Sequence, residues 1–540
     1  MKNDFVYLKR NVVPEPLFDQ WYAWPHLISP ATAAMNILGR HIKIMNSYIL
    51  APQIHAEAVK DPKLLGGPFM DYDGNRKEEV KQLKEATLTN NSRLIEFAKA
   101  VQQLCKLLKT EATGASMQEL YEKVPDILKG YVELFYDVNN QPSFRFFESL
   151  LYKSEFYKPE LQSISFYLIE EDDRPFILST PRLQTTTDTV HIRMPFNSPV
   201  LDELFRMQRE PGSYSYIKEK MGIGEEDDAL FRTFFTTDAP EVYAKYDGDY
   251  IRTRYFGHAC ILIESKNVSI LSDPVISYGY NSHISRFTYS DLPDVIDYVV
   301  ITHNHQDHIL IETMIQLRHK IRHIIVPRNG TGALQDPSVK MMLNNLGFHN
   351  VIEIDELDTV EMPGCTITGL PFLGEHSDLD IRTKMCHHVR LDNELSILLA
   401  ADSCNHEPKV YEHIQQVIGD IDVLFLGMEC DGAPLSWLYG PLLPEALPKE
   451  KDHSRRLRGS NFKEGIDLVY RFKPKDVYVY AMGQEPWLNY IMSLKYTEES
   501  SPIIASNKLL QVCKEMQINA ERLFGEKEIV YKKEASILSV

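Results

Sequence analysis

A cluster of potential metal ligands directly follows one apolar stretch of the sequence. Residues 298–302 (YVVIT) have the composition of a buried strand, and the next six letters are HNHQDH. Side chains alternate along an extended chain, so His303 and His305 project to the same side and can share one metal ion. Asp307 and His308, where the chain turns into the following helix, can reach a second ion. These four residues after a strand predict a site for two metal ions.

Two aspartates stand where other predicted strands end. Asp402 ends the apolar run SILLAADS. Burying a lone carboxylate there would be costly, so we expect Asp402 to lie between the two metal ions. Asp273 ends a strand in the letters LSDP. We expect it either to hold a histidine ring in place or to shape the turn before Pro274.

The rest of the second half predicts the sheets that would carry these ligands. Runs rich in β-forming residues, such as ACILIES, HIIVP, VLFLGM and DVYVYAM, alternate there with helical stretches. Apolar strands in series, with helices between some of them, are typical of layered α/β packing. We therefore predict an α/β fold.

The first half has a different pattern. Residues 31–151 read as helical, most clearly between residues 94 and 108, where apolar positions recur on one face. Strand-like runs follow at residues 163–170, 175–180 and 190–196. Periodicity is lost around residues 236–249. We therefore predict a mixed α/β N-terminal domain of residues 1–245 and a C-terminal domain of residues 246–540.

Composition excludes several classes of protein. The chain has 540 residues with 58 basic and 76 acidic side chains, a net charge of −18, which disfavours a nucleic-acid partner. No apolar run approaches the ~18 residues of a membrane span, and the first residues lack the apolar core of a signal peptide. The seven scattered cysteines contain no C-x-x-C pair and read as reduced thiols. We expect a cytoplasmic protein without a membrane partner.

The motifs together resemble a known fold. The letters FGHACILIES, LSDP, THNHQDH and ADS occur in this order, and they are similar to the sequence pattern of the metallo-β-lactamase fold. The resemblance covers about residues 250–490 and implies an αββα sandwich with a two-metal site at one edge. His258, in FGHAC, matches a feature of this superfamily and is equally consistent with a buried structural histidine.

Two departures separate the chain from the zinc hydrolases of this fold. Those enzymes usually supply another histidine after a late strand, where residues 481–487 of this chain read AMGQEPW. The second departure is Glu375 beside His376. Neighbouring residues of an extended chain point to opposite sides, so we expect only one of them to bind metal. Glu375 gives three histidines and three carboxylates, which suit iron and O₂, whereas His376 keeps the set closer to zinc hydrolases.

The pattern with Glu375 resembles the di-iron oxygenases of this fold that act in antibiotic biosynthesis. That resemblance implies two irons, O₂ as co-substrate, an external electron donor and an N-terminal domain used for homodimerisation. It implies a substrate amino acid tethered to a peptidyl carrier domain of a nonribosomal peptide synthetase and hydroxylated at its β-carbon. The implied ligands of the first iron are His303, His305 and Glu375, those of the second are Asp307 and His308, and Asp402 lies between the irons.

Other residues have less specific roles at this stage. Glu429 follows a strand of the same sheet and is a candidate catalytic residue, either beside the ligands or binding metal in one state; a loop shaped by Gly and Pro is the alternative. Arg455, Arg456 and Arg458 lie in the most basic stretch and either dock an acidic carrier domain or form a solvated loop. The competing function is a di-zinc hydrolase of an ester or phosphodiester.

Overall fold

The second half of the chain forms a sandwich of two sheets. A computed structural model describes residues 4–183, 187–241, 243–391 and 395–531, and within them each sheet has seven strands. In spatial order, the first sheet contains Val351–Ile354, Ile321–Pro327, Ile296–Val300, Ser269–Ser272, Cys260–Glu264, Ile251–Gly257 and Lys527–Tyr531. The second contains Thr359–Met362, Cys365–Leu370, Cys386–Leu391, Leu395–Leu399, Val423–Gly427, Asp476–Tyr480 and Asn519–Arg522.

Apolar residues on both faces explain why these strands stack between helices. Val300 and Ile325 of the first sheet meet Ile397 and Phe425 of the second in a buried core between the sheets. The outer faces pack against helices of this half, Ile311–Leu317, Val339–Asn345, Pro408–Ile418, Phe462–Phe472 and Ser501–Glu515. Strands buried on both faces read as continuous apolar runs. This arrangement confirms the predicted αββα sandwich.

The N-terminal half contains smaller antiparallel sheets and a helical layer. One sheet contains Trp21–Tyr22, Val12–Phe18, Gln162–Leu168 and Val190–Arg193; another contains Gly212–Ser213, Phe5–Leu8 and Phe235–Thr236; and Val132–Tyr136 pairs with Pro142–Phe146. The longer helices are Pro30–Asn36, Ile42–Leu50, Pro52–Ala58, Lys77–Asn90, Ser92–Glu111, Pro199–Arg206, Tyr214–Met221 and Glu225–Thr233. This mixture confirms the predicted α/β character.

The helix Ser92–Glu111 confirms the amphipathic pattern on which the helical prediction rested. Its buried face contains Leu94, Phe97, Ala98, Val101, Leu104 and Leu108. Two parts of the prediction for this half were wrong. The range 31–151 also contains the hairpin Val132–Tyr136 and Pro142–Phe146. Residues 175–180 form no strand, because the backbone N–H of Ile177 donates to the carbonyl oxygen of Tyr490 at 2.9 Å rather than to a neighbouring strand.

The two halves share one hydrophobic core. The largest apolar cluster contains side chains from N-terminal helices together with Val299 and Ile324 on the outer face of the first sheet. A boundary near residue 245 stays a prediction, since this core does not separate there. Charged groups also join the two halves. Nη2 of Arg174 lies 3.0 Å from Oε2 of Glu15 and 2.9 Å from Oε2 of Glu312 in a buried network. Glu312 belongs to the helix Ile311–Leu317, so the N-terminal half holds the helix that follows the histidine motif.

Within the residues that the structure describes, no helix has both the length and the apolar character that crossing a membrane requires.

Candidate metal centre

Three ligand atoms meet where the strand Ile296–Val300 ends. His303 and His305 follow this strand, and Glu375 comes from the loop after Cys365–Leu370 of the other sheet. Glu375 Oε1 lies 2.6 Å from Nδ1 of His305, and its Oε2 lies 3.7 Å from Nε2 of His303. The two sheets therefore bring together the three residues expected on one metal ion.

Asp402 lies between this group and the next. Its Oδ2 is 2.8 Å from Nε2 of His308 and 3.9 Å from Nε2 of His303. Gly427, on the neighbouring strand, makes this approach possible, because a Cβ atom there would collide with Oδ1 of Asp402. Asp402 thus lies between the two groups of candidate ligands, and its bridging of two metal ions stays a prediction.

Asp307 and His308 form the second side of the cluster, together with His258. Asp307 Oδ2 lies 3.1 Å from Nε2 of His258 and 3.6 Å from Nε2 of His308. All three side chains are buried. The sequence did not distinguish whether His258 is a feature of the superfamily site or a buried structural histidine. The structure places it against a predicted metal ligand, which spacing along the chain could not show.

Unpaired buried atoms show that the cluster fits a metal centre. Nε2 of His303 and Oδ1 of Asp402 are buried without a hydrogen-bond partner among the described residues. Buried polar atoms rarely stay unpaired, because leaving them so costs about 1 to 3 kcal/mol each. Imidazole nitrogens and carboxylate oxygens together are the donors that non-haem iron accepts. The residues present therefore fit two iron ions.

The pKa shifts of two side chains indicate that positive charge is stabilised within the cluster. Burial lowers the pKa of His308, but Asp402, Asp307 and Asp273 outweigh burial and raise that pKa well above its usual value. Burial likewise opposes ionisation of Glu375, yet His305 and His376 bring the pKa of this carboxyl down to about 2. Metal ions are the strongest local charges that could take over this role.

Glu375 and His376, the two candidates left open by the sequence, have different contacts in the structure. Glu375 contacts both His303 and His305, whereas Nδ1 of His376 contacts Glu375 Oε2 at 3.0 Å. Glu375 has a left-handed backbone with φ of 63°. The backbones of Ser377 and Asp378 are also left-handed. Such conformations in residues other than glycine cost of order 1 to 3 kcal/mol and gather at functional sites. The geometry favours Glu375 as the ligand and His376 as its support.

Contacts behind the ligands fix the imidazole rings. Asp273 Oδ2 lies 2.9 Å from Nδ1 of His308, which confirms the expectation that this aspartate holds a histidine ring. Asp273 is itself held by the backbone N–H of Thr302, which donates to Oδ1 at 2.8 Å. Nε2 of His305 lies 2.9 Å from the hydroxyl of Tyr439, a contact with no counterpart in the sequence motif. Partners of this kind orient metal ligands.

The late strand ends close to the cluster. Asp476–Tyr480 is followed by Ala481, whose backbone N–H donates to the carbonyl oxygen of His258 at 2.9 Å. Gly483, with φ of 61°, packs near Met492, and a Cβ atom there would lie 2.7 Å from its methyl carbon. The chain leaving this strand therefore supports His258 rather than facing the metal cluster with its own ligand.

A cavity of about 700 Å³ opens over the cluster. Its walls come from both halves of the chain, including Lys63 and Phe176 from the first half and Glu429, Arg456 and Lys495 from the second. It reaches His305, Asp307, Glu375 and Asp402. A substrate entering this cavity would meet the predicted metal site.

Glu429 lies beside the cluster and outside the ligand groups. Its Oε2 accepts a hydrogen bond from the N–H of Gly432 at 2.7 Å, and the hydroxyl of Tyr496 lies 3.5 Å from Oε1. Burial raises the pKa of Glu429 to about 8, and Asp402 adds to the shift. No lysine or arginine forms an ion pair with it among the residues described. The structure thus leaves a cavity-lining carboxyl group without a positive partner.

The arginines of the basic stretch bond mainly to other residues of this chain. Arg455 donates to the carbonyl oxygen of Ser377 at 2.7 Å, and Arg458 pairs with Glu464 at 3.0 Å. Arg456 donates to backbone carbonyls and also lines the cavity. Of the three arginines expected to contact a carrier domain, Arg456 lies at this opening.

Comparisons with known proteins agree with this geometry. Residues 7–240 match the family described as the diiron non-heme beta-hydroxylase N-terminal domain, and residues 269–433 match the beta-lactamase superfamily domain. The chain is 37% identical, over 96% of its length and 98% of the relative, to the 4-amino-L-phenylalanyl-[CmlP-peptidyl-carrier-protein] 3-hydroxylase of Streptomyces venezuelae. It therefore belongs to the diiron non-haem β-hydroxylase family and is an enzyme of that class.

Solved structures lead to the same family. The chain is similar to the crystal structure of CmlA, a diiron beta-hydroxylase from Streptomyces venezuelae, with a TM-score of 0.90, 36% identity and coverage of 97% of this chain and 99% of that one. A mutant of CmlA gives a TM-score of 0.87 at 35% identity and the same coverage. The expected resemblance to di-iron oxygenases is confirmed, and the hydrolase alternative is not favoured.

Proposed function

We propose that this enzyme hydroxylates the β-carbon of an amino acid that is bound as a thioester to a peptidyl carrier domain in antibiotic biosynthesis. The contact of Glu375 with His303 and His305 carries this proposal, because it completes a mixed nitrogen and oxygen ligand set suited to iron. The relative from Streptomyces venezuelae bears a name that specifies a carrier-bound aminoacyl substrate. Similarity along nearly the whole chain supports the same class of substrate here.

In this proposal the ligands divide between two irons. His303, His305 and Glu375 hold one iron, Asp307 and His308 hold the other, and Asp402 lies between them. When bound, the two irons would supply the activation of O₂, in which two electrons from an external donor and two protons allow one oxygen atom to insert into the C–H bond and the other to leave as water.

The protein's own part is to orient the substrate and to exclude water. We assign Glu429 to the α-ammonium group of the tethered amino acid. The nitrogen of this group lies two bonds away from the β-carbon, so a carboxylate beside the metal cluster would direct the β-carbon toward the cluster. An ammonium group would also supply the positive partner that Glu429 lacks among the described residues.

The opening of the cavity suits an acidic carrier domain and its phosphopantetheine arm. Lys63 and Lys495 are exposed at this opening, and Arg456 lies beside them in the cavity wall. Cations around an opening attract an acidic partner and raise its association rate. Of the three arginines of the basic stretch, Arg456 keeps the proposed docking role, and Lys63 and Lys495 are added to it.

The remaining expectations belong to the same proposal. They are an electron-transfer partner, a homodimer formed through the N-terminal half and a cytoplasmic location. None of the seven cysteines, all of which lie in the described residues, forms a disulfide, which is typical of a reducing compartment.

One experiment tests the function directly. The purified protein is loaded with Fe²⁺, reduced chemically and mixed with isotopically labelled O₂ and a series of aminoacyl carrier domains. We expect two irons per chain and one labelled oxygen atom in the amino acid released from a carrier. The same free amino acids, tested in parallel, should react poorly. Two tightly bound zinc ions with ester hydrolysis, or equal turnover of free and tethered amino acids, would contradict the proposal.

A further inference from the structure

We propose that the N-terminal half of the chain holds an iron ligand in place, through Arg40 and Tyr439. This inference rests on the proposed role of His305 as a ligand and assigns positioning roles to two residues outside the histidine motif. It is carried by a continuous set of contacts from an N-terminal helix to the His305 ring.

The first contact joins Tyr439 to His305. The Tyr439 hydroxyl lies 2.9 Å from Nε2 of His305, whose other nitrogen, Nδ1, faces Glu375 at 2.6 Å. With Nδ1 directed at the metal, Nε2 carries the proton and donates to the Tyr439 oxygen. This hydrogen bond selects one tautomer and one ring orientation, as outer partners of metal-bound histidines do.

The second contact fixes the helix that carries Tyr439. Arg40 donates to the carbonyl oxygens of Trp437 and Leu438, at 2.7 and 2.8 Å, in the helix Leu435–Tyr439. Arg40 is 8% exposed, and no carboxylate pairs with it in the part of the chain that the structure describes. A buried guanidinium without an anion is costly. The hydrogen bonds from Arg40 to these two carbonyl oxygens compensate for part of that desolvation cost.

The backbone around Arg40 is shaped for this approach. Arg40 lies in the π-helical turn Ile37–His41, and such turns are frequently found at functional sites. Its neighbour Gly39 faces Pro441, just beyond the Tyr439 helix, and a Cβ atom at Gly39 would lie 3.0 Å from the Cα atom of Pro441. The N-terminal helix therefore packs directly on the segment that supports His305.

Iron release provides the test. Tyr439→Phe removes one oxygen atom, and Arg40→Met removes the guanidinium but keeps much of the apolar volume. Each variant and the parent are loaded with Fe²⁺, and transfer of iron to a chelator is followed with time. We expect one of the two irons to leave roughly 10- to 100-fold faster in both variants, as is usual when an outer partner of a metal ligand is lost. Arg40→Lys should restore part of the retention.

Matched controls separate positioning from general stability. Tyr289 is also buried, and its hydroxyl bonds Thr313 and Gln316. Arg318 is a second buried arginine that donates to carbonyl oxygens across the two halves, those of Phe196 and Leu346. Tyr289→Phe and Arg318→Met should retain both irons at the parental rate.

Parental iron release in Tyr439→Phe and Arg40→Met would overturn the inference, and so would equal acceleration in the two controls. The outcome is independent of the hydroxylase proposal. If the protein selects zinc and hydrolyses esters, that proposal fails, while faster zinc release from the same variants would still support the positioning roles.

Discussion

Glu375 Oε1 lies 2.6 Å from Nδ1 of His305, although 70 positions along the chain separate the two residues. The contact joins the loop of one sheet to the histidine motif of the other. It makes Glu375 part of the predicted metal centre, whereas His376 lies 3.0 Å from the same carboxylate and packs its ring 4.5 Å from that of His305.

The first prediction follows from this relationship. Glu375→Ala should lower the iron content toward one per chain and abolish turnover, because the first iron loses its only unshared carboxylate. His376→Ala should leave two irons bound, since His376 belongs to none of the three groups of converging ligand atoms among the described residues. Iron analysis of the two purified variants distinguishes them. The reverse pattern would make His376 the ligand and favour a hydrolase.

A second prediction concerns Glu429. Glu429→Gln keeps the volume but removes the charge proposed to bind the α-ammonium group. Hydrogen bonds to charged groups contribute about 1.5 to 3 kcal/mol, so kcat/KM for the carrier-bound amino acid should fall by about 10- to 100-fold. Iron content should not change. Glu499→Gln, at an exposed residue of the same cavity, is the control.

A substrate analogue sharpens this test. An aminoacyl group without its α-amine cannot use Glu429, so the parent should process it poorly and Glu429→Gln should cause little further loss. If Glu429→Gln lowers kcat/KM equally for both substrates, Glu429 does not act through the α-ammonium group.

His258 gives a third prediction. Its Nε2 lies 3.1 Å from Oδ2 of Asp307, which is a proposed ligand of the second iron. His258→Ala should weaken binding of that iron by about 10- to 100-fold and spare the first. Titration of the metal-free protein with Fe²⁺ would show one tight and one weakened site. Two tight sites would mean that His258 only fills space.

Charge at the cavity opening yields a fourth prediction. Lys63→Glu and Lys495→Glu should reduce the association rate of an aminoacyl carrier domain, and added salt should shrink the difference from the parent. Lys514→Glu changes the net charge equally at an exposed residue that does not line the cavity. Stopped-flow association over a range of salt concentrations measures the effect. If all three variants slow association equally, net charge rather than position is responsible.

The fifth prediction concerns pH and Glu148, which is remote from the histidine motif in sequence. Burial raises its pKa from 4.5 to about 7, although the N–H of Ser338 and the hydroxyl of Ser29 oppose the shift. The folded chain therefore holds this proton more tightly than the unfolded chain. As pH rises from about 4.5 to about 7, the free energy of unfolding should fall, by up to about 3 kcal/mol from this group.

Glu148→Gln should remove this part of the pH dependence. Urea unfolding of the iron-free parent and variant at about pH 5 and about pH 8 gives the comparison. At the higher pH, the free energy of unfolding of the variant should increase relative to that of the parent. An unchanged difference between the two proteins at both pH values would contradict the raised pKa.

The sequence itself determined the class of fold and most of the candidate ligands. Strands such as Ile296–Val300 and Leu395–Leu399 are largely buried between two layers, so the sequence shows them as apolar runs. The histidine motif is local, and its period of two predicted which histidines share a side. Residues 175–180 misled the prediction, because an apolar run bonded to a distant carbonyl reads like a strand.

Only the tertiary structure decided which of two neighbours, Glu375 or His376, joins the converging ligand atoms of His303 and His305, because left-handed residues break the alternation of an extended chain. The same is true of His258 and Tyr439, which reach the cluster from sequence positions far from the motif. Local periodicity records which face of an element is buried. Contacts between loops of different sheets depend on how those elements pack, and no spacing along the chain encodes them directly.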